Sequence, residues 1–172
     1  MMEMNIFSNE SEKDYYYNGV SFLKASERCL GDKDENSGYR IFENRDLVQL
    51  PAPAVVNAAF AAEMFFKALL RHFNCKIPKG ANGHNLECLY KELPKNIQDF
   101  IGNNCMGKNN ITGFEKFLND HARDFIDIRY YIEEQGFASM SPLSMYALSF
   151  NLMNETKYIL DEVPYKGDQD EN

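Results

Sequence analysis

Apolar residues recur along this chain at helical spacing, and runs that alternate between apolar and polar residues are hard to find. The clearest pattern is AVVNAAFAAEMFFKALLRHF, at residues 54–73, where apolar side chains nearly encircle the helix axis. A helix that is apolar on most sides packs against several neighbours. This segment is therefore predicted to be the central helix of the fold.

Start and stop signals predict helices on both sides of it. The first runs over residues 11–30, with Ser11 as a plausible N-cap and Gly31 just past its end. Two short helices follow the central one, at residues 86–93 and 94–102, and Pro94 opens the second.

Two longer helices complete the pattern. One is predicted over residues 112–135, with Gly136 as its stop, and the last over residues 142–163, where Ser141 and a following proline form the start. The predicted fold class is all-α, an up-and-down helical bundle of three to four long helices and two short ones. The residues expected to face its core, beyond the central helix, are Leu86, Leu89, Tyr90, Leu93, Phe114, Phe117, Leu118, His121, Phe125, Ile128, Ile132, Leu143, Tyr146, Phe150, Leu152 and Met153.

The 172 residues suit one domain. Residues 11–163 form it in this prediction, residues 1–10 are a disordered N-terminus, and residues 164–172 are an acidic flexible tail. Residues 31–53 form a long polar connection of open role, since structureless links of this length are uncommon in compact domains.

Charge and cysteine spacing narrow the function. The net charge is −8 and no stripe of lysines and arginines stands out, so binding to duplex DNA is disfavoured, while a local basic pocket remains compatible. The four cysteines lie far apart, with no CxxC pair and no zinc-site spacing, so neither a metal nor another cofactor is predicted. The chain is expected to be cytoplasmic, with reduced thiols, no signal peptide and no membrane insertion.

Two polar edges raise the question of a site. Glu63 and Lys67 follow each other at intervals of four on the central helix, and RYYIEE places Arg129, Tyr130 and Glu133 beside the apolar stripe of a later helix. Two interpretations stay open. The edges form a buried polar network across the bundle, which must then be satisfied, or they line a ligand pocket.

Two blocks carry a family signal. The first is LPAPAVVNAAFAAEMFFKALL followed by GHNLECLYKEL, and the second is FIDIRYYIEE. In order and spacing they resemble the HEPN superfamily, small helical-bundle domains of prokaryotic toxins and defence systems that often act on or near RNA. The resemblance covers residues 51–134, and it implies a homodimer and a link to RNA or nucleotides.

The resemblance also implies a test for catalysis. HEPN ribonucleases use an arginine followed on the same helix, after four to six intervening residues, by a histidine, so that the arginine stabilises phosphate charge and the histidine moves a proton. Here the positions that a histidine would occupy after Arg129 are Glu134, Gln135 and Gly136, and none of the other arginines has one either. The ribonuclease motif is absent.

The three histidines are therefore read mainly as structural. His121 precedes Arg129 and falls on an apolar face, which favours a satisfied core histidine over a catalytic one. His84 lies at a helix start, where it caps or packs against the loop, and it is also a candidate member of the polar network. His72 is expected to be exposed or at a boundary.

The leading hypothesis is a HEPN-like binding or interaction module, with a protein partner, RNA or a nucleotide as its ligand. The alternative is a divergent, metal-independent RNA-cleaving or nucleotide-handling enzyme that uses Arg129 and Glu133, with His121 as a further candidate. A third option is a structural partner in a toxin and antitoxin pair.

Overall fold

The computed structural model describes residues 11–31, 51–121 and 141–163. Within these ranges the ordered elements are helices, and the single isolated bridge, between Cys105 and Gly107, does not extend into a strand. The helices are α1 (Glu12–Leu30), α2 (Pro51–His72), a 3₁₀ turn η1 (Gly80–His84), α3 (Leu86–Lys91), α4 (Lys95–Asn104), α5 (Ile111–Asp120) and α6 (Pro142–Glu162). The predicted all-α class is confirmed.

The start of α1 is fixed by a reciprocal cap. The Ser11 hydroxyl accepts from the backbone N–H of Asp14 at 3.2 Å, and the Asp14 carboxylate accepts from the backbone N–H of Ser11 at 2.9 Å. This arrangement satisfies two N–H groups that have no partner within the helix. Ser11 was the predicted cap, and Gly31 follows the helix with a φ of 90°. Asp14 supplies the half of the cap that the prediction lacked.

Helix α2 is the central helix, as predicted. It lies between α1 and α6, and its alanines and phenylalanines at positions 54, 58, 59, 61, 62, 65, 66 and 68 are fully buried. The helix begins at Pro51, three residues before the predicted start at 54. Proline is tolerated there because the N–H groups of a first turn have no intrahelical acceptor.

Helix α2 is also long and apolar enough to cross a membrane. The described residues contain this one candidate span, Ala52–His72, with a mean hydropathy of 1.4 over its most apolar 18 residues. Of that window, 67% is buried inside the structure. The core helix of a water-soluble protein meets the same criteria, and here α1 and α6 cover most of the apolar surface.

Small residues let the neighbouring helices approach α2 closely. The Ser26 hydroxyl of α1 donates to the carbonyl of Ala54 at 2.7 Å, and the Ser149 hydroxyl of α6 donates to the carbonyl of Ala58 at 2.8 Å. Both serines are fully buried. Direct bonds between a side chain on one helix and the backbone of another require that the two backbones lie near each other. The three-helix core is therefore tightly packed, and Ser26 and Ser149 are paired within it, whereas the buried Thr156 hydroxyl has no hydrogen-bond partner among the described residues.

The inward face of α6 differs from the prediction. Leu143 and Phe150 were expected to be buried, but they are 45% and 42% exposed. Tyr146 and Leu152 are buried as predicted, and Met153 is partly buried. The face that packs inward consists of Met145, Tyr146, Leu148, Ser149, Leu152, Thr156 and Ile159. Ser149 faces α2 and donates to the carbonyl of Ala58, which places Leu143 and Phe150 outside, whereas a hydrophobicity pattern weights those two residues more heavily.

The predicted helix over residues 112–135 ends much earlier. Helix α5 stops at Asp120, and His121 has left helical geometry at φ −110° and ψ 10°. Asn119, Asp120 and His121 explain the end, since asparagine and aspartate side chains compete for the backbone and favour helix ends. Residues 122–135, with Arg129, Tyr130 and Glu133, lie outside the described residues.

The short helices close one side of the core. Leu86, Leu89, Tyr90 and Leu93 are all buried, as predicted. The Tyr90 hydroxyl donates to the carbonyl of Gln98 at 2.9 Å, and the Gln98 side chain donates to the carbonyl of Leu93 at 2.7 Å. The first bond joins α3 directly to α4, and the second joins α4 to the segment between the two helices.

Replacing Gly19 tests the close approach of α1 to α2. A Cβ atom at this position would lie 2.5 Å from the buried ring of Phe65. Alanine normally improves a helix by about 1 kcal/mol over glycine, but overpacking costs about 1–3 kcal/mol. We expect Gly19→Ala to lower the free energy of unfolding in urea, whereas the adjacent exposed Asn18→Ala should not. A Gly19→Ala protein that is more stable than the parent would show that the two helices are not in tight contact.

Candidate functional site

A carboxylate buried in the side of the central helix organises the strongest candidate site. Glu63 lies on α2 and its side chain is 1% exposed. A buried carboxylate is costly unless cations and hydrogen-bond donors surround it. The Lys67 ammonium, one turn further along α2, contacts Glu63 Oε1 at 2.7 Å, with 14% of the lysine side chain exposed. The first partner of Glu63 is therefore local in sequence.

The second partner comes from the loop after α2. His84 Nδ1 lies 3.2 Å from each of the two carboxylate oxygens of Glu63. Its side chain is 47% exposed, so the imidazole bridges the buried carboxylate and the solvent. Lys67 and His84 contact the same oxygen, Oε1, and are close neighbours. We refer to Glu63, Lys67 and His84 as the trio.

The loop that presents His84 is held in shape by its backbone. The N–H of Cys75 donates to the carbonyl of Leu70 at 2.7 Å, which turns the chain back at the end of α2. Gly83 lies so near Pro78 that a Cβ atom would meet the proline carbonyl oxygen at 2.6 Å, so only glycine fits there. Asn85 then caps α3, with its side chain accepting from the N–H of Cys88 at 3.0 Å. His84 is thus placed between two ordered turns.

The bond to Glu63 determines which histidine nitrogen remains available. An ionised carboxylate only accepts hydrogen bonds, so Nδ1 of His84 must carry the proton that bonds to Glu63. In the neutral imidazole, Nε2 then has a lone pair, and in the protonated ring it has an N–H. A histidine oriented by a carboxylate can accept a proton, donate one, or hold an anion, depending on pH.

The trio brings together half of the residues predicted for the polar network. Glu63, Lys67 and His84 were all named, although the sequence gave no sign that His84 and Glu63 would pair. The other three, Arg129, Tyr130 and Glu133, lie outside the described residues, and their part in the network stays a prediction. His121, the remaining catalytic candidate, is half-buried at the end of α5, where its ring centroid lies 4.5 Å from that of Phe117.

His72 was expected to be exposed or at a boundary, and this was wrong. It is 4% exposed, and its Nε2 lies 2.8 Å from the carbonyl of Val163, just past the end of α6. The ring therefore donates to that carbonyl and meets Phe73 edge-on. Its burial could have been predicted from the sequence, because His72 lies one turn beyond Ala68 and Leu69 on the same face of the helix. A cavity of about 300 Å³ adjoins it, lined by His72 together with Glu12, Lys13, Leu160, Asp161, Glu162 and Val163.

Cys105 is the buried one of the four cysteines. Burial raises the pKa of the Cys105 thiol, and the nearby Glu155 carboxylate raises it further, so this thiol stays protonated and is a poor nucleophile. No group of three or more histidine, cysteine, aspartate or glutamate side chains is placed to hold a metal ion in residues 11–31, 51–121 and 141–163. The trio is therefore the arrangement that most merits a functional account.

Comparison with known proteins found no matching family model, no matching curated protein and no matching solved structure.

Substitution of Lys67 tests whether the trio is a buried charge network. Lys67→Met removes the ammonium next to a buried carboxylate, and breaking such a pair costs about 3–5 kcal/mol. The matched control is Lys91→Met, which breaks a Glu87–Lys91 pair of identical spacing whose lysine is 66% exposed, and exposed pairs contribute about 0–1 kcal/mol. We expect a much larger loss of unfolding free energy for Lys67→Met in urea denaturation. Equal small losses would mean that Glu63 is solvated in solution.

Proposed function

We propose that this chain is a HEPN-like helical binding module that lacks the ribonuclease motif, acts in the cytoplasm as a homodimer, and binds RNA or a nucleotide. The observation that carries the proposal is the trio, in which a buried carboxylate holds a lysine and a half-exposed histidine at the surface. In this arrangement the buried carboxylate of Glu63 orients two nitrogen donors, the Lys67 ammonium and the His84 imidazole. The resemblance of residues 51–134 to HEPN domains supplies the ligand class.

The character of the trio supports binding over catalysis. Lys67 and His84 can both donate to an anionic group, since the ammonium has three N–H groups and uses one for Glu63. Binding of a phosphate-bearing ligand needs only the donors that are present.

Exposed apolar side chains on α6 support the homodimer. Leu143 and Phe150 are seven residues apart on one face of the helix and are 45% and 42% exposed. Large apolar residues that share an exposed face are typical of protein interaction sites. A second copy of the chain offers the same face, so the contact would be isologous.

Sedimentation velocity with a fluorescent single-stranded RNA tests both parts of the proposal. We expect the free protein to sediment as a dimer, and the RNA to co-sediment at low salt, less so at high salt, and to be recovered uncleaved. Phe150→Glu should yield monomer, whereas Tyr17→Glu, at a 66% exposed position on α1, should not.

A monomeric parent protein would contradict the dimer. Absence of co-sedimentation with RNA, together with no direct binding of AMP or ATP by calorimetry, would contradict the ligand class. RNA that is cut without added metal would favour the enzymatic alternative.

A further inference from the structure

Positive charge is concentrated in the stretch of sequence that contains Lys67 and His84, although the chain as a whole is acidic. The net charge is −8, yet no aspartate or glutamate occurs between Glu63 and Glu87. That stretch contains Lys67, Arg71, Lys76 and Lys79 as well as His84. It comprises the second half of α2, the loop and η1, and thus the segment that carries Lys67 and His84.

The nearest acidic groups along the chain are already neutralised. Glu63 is buried and bonded to Lys67 and His84. Glu87, at the start of α3, forms an ion pair with Lys91. Lys76 and Lys79 are exposed on the loop, and no acidic partner is recorded for either in the described part of the chain. The segment that carries Lys67 and His84 is therefore cationic despite the overall charge, which favours binding of an anion.

The trio gives this segment one defined point of contact. Because Glu63 holds Nδ1, the other nitrogen, Nε2, is the one that can meet a ligand on the exposed half of the ring. Lys67 lies beside it and retains N–H groups beyond the one used for Glu63. Two nitrogen donors that diverge from a shared carboxylate oxygen can bond to two oxygens of a single ligand group.

We propose that His84 and Lys67 bind a phosphate group, and that protonation of His84 controls the affinity. A phosphate group offers several strong acceptor oxygens on one centre, which suits two adjacent cationic donors. The inference rests on the proposed function and adds to it the residues, the ligand group and the dependence on pH. The source of the phosphate is an RNA strand or a free nucleotide, which share this chemistry.

The pH dependence follows from the groups around the ring. From α2, Glu63 and Lys67 face His84, and in sequence the nearest charged residues are Glu87, which is paired with Lys91, and Lys79. Imidazoles change charge between pH 5 and 8, and only the protonated ring has an N–H at Nε2 while Nδ1 donates to Glu63. Binding of an RNA strand, whose phosphodiester charge is constant over this range, should therefore tighten as the pH falls. A phosphate monoester changes its own charge at about pH 6, so its pH dependence is judged against that of His84→Gln.

The test measures binding of inorganic phosphate, AMP and a short single-stranded RNA to the full chain by calorimetry and NMR at pH 6 and pH 8. We expect at least one of them to bind about fivefold more tightly at pH 6, as a single partly exposed charge contact implies. The amide of His84→Gln can still donate to Glu63. The affinity of this variant at pH 6 should fall to the affinity that the parent protein has at pH 8. Lys95→Gln, which removes an exposed lysine paired with Asp99 on α4, serves as the charge-matched control and should bind like the parent.

Each outcome decides a different point. RNA or nucleotide binding that is the same in His84→Gln and insensitive to pH would overturn the inference and leave the proposed function standing. Inorganic phosphate that binds through His84, with no binding of RNA or AMP, would support the phosphate site and overturn the proposed function. Absence of binding by all three probes at both pH values would overturn both. A folded His84→Gln protein, verified by its circular dichroism, is required for the comparison, and His84→Asn serves as the second variant.

Discussion

Burial of the Glu63 carboxylate in the central helix is the constraint on which the rest of the candidate site depends. A charge that is 1% exposed must be compensated within the protein. Lys67 provides part of the compensation from the same helix, and His84 provides the rest from a position 21 residues away. The second contact ties the loop after α2 to the helix itself. One buried oxygen pair thus links the core to a half-exposed imidazole at the surface.

The same central helix imposes a second constraint, on packing. Its many buried alanines allow α1 and α6 to come close, and the neighbours answer with small residues, Gly19 and Ser26 on α1 and Ser149 on α6. The contact area between these helices comes from their short separation and not from large side chains. It also determines the rotation of α6. With Ser149 turned inward, Leu143 and Phe150 are left on the outside, and the bundle acquires an exposed apolar face that the core does not need.

The elements of the fold followed from local signals, because caps and periodicity act over a few residues. Ser11, Gly31 and Ser141 marked ends that the structure confirms within one residue. Rotation of a helix depends instead on its partners, which explains the error at Leu143 and Phe150. Helix α5 ends at Asp120, within the residues NDH, which have a weak preference for helix. The prediction gave more weight to the apolar pattern on either side of them.

The candidate site was predictable only in part, and for a related reason. Glu63 and Lys67 share one helix, so their spacing of four reveals the pair. The contact of Glu63 with His84 spans a loop whose path depends on Gly83, on Asn74 at a φ of 52° and on the capping of α3. No periodicity encodes that path. His72 shows the same limit, since its partner is the carbonyl of Val163 at the end of α6.

The state of the His84 ring tests the account most directly. Long-range nitrogen–proton NMR spectra of the imidazole at pH 8 identify which ring nitrogen carries the proton, a feature that heavy-atom positions leave to inference. If Glu63 orients the ring, Nδ1 is protonated, Nε2 is not, and Glu63→Leu abolishes this preference. A neutral ring protonated at Nε2 in the parent protein would mean that Nδ1 does not donate to Glu63, and it would contradict the account of the trio.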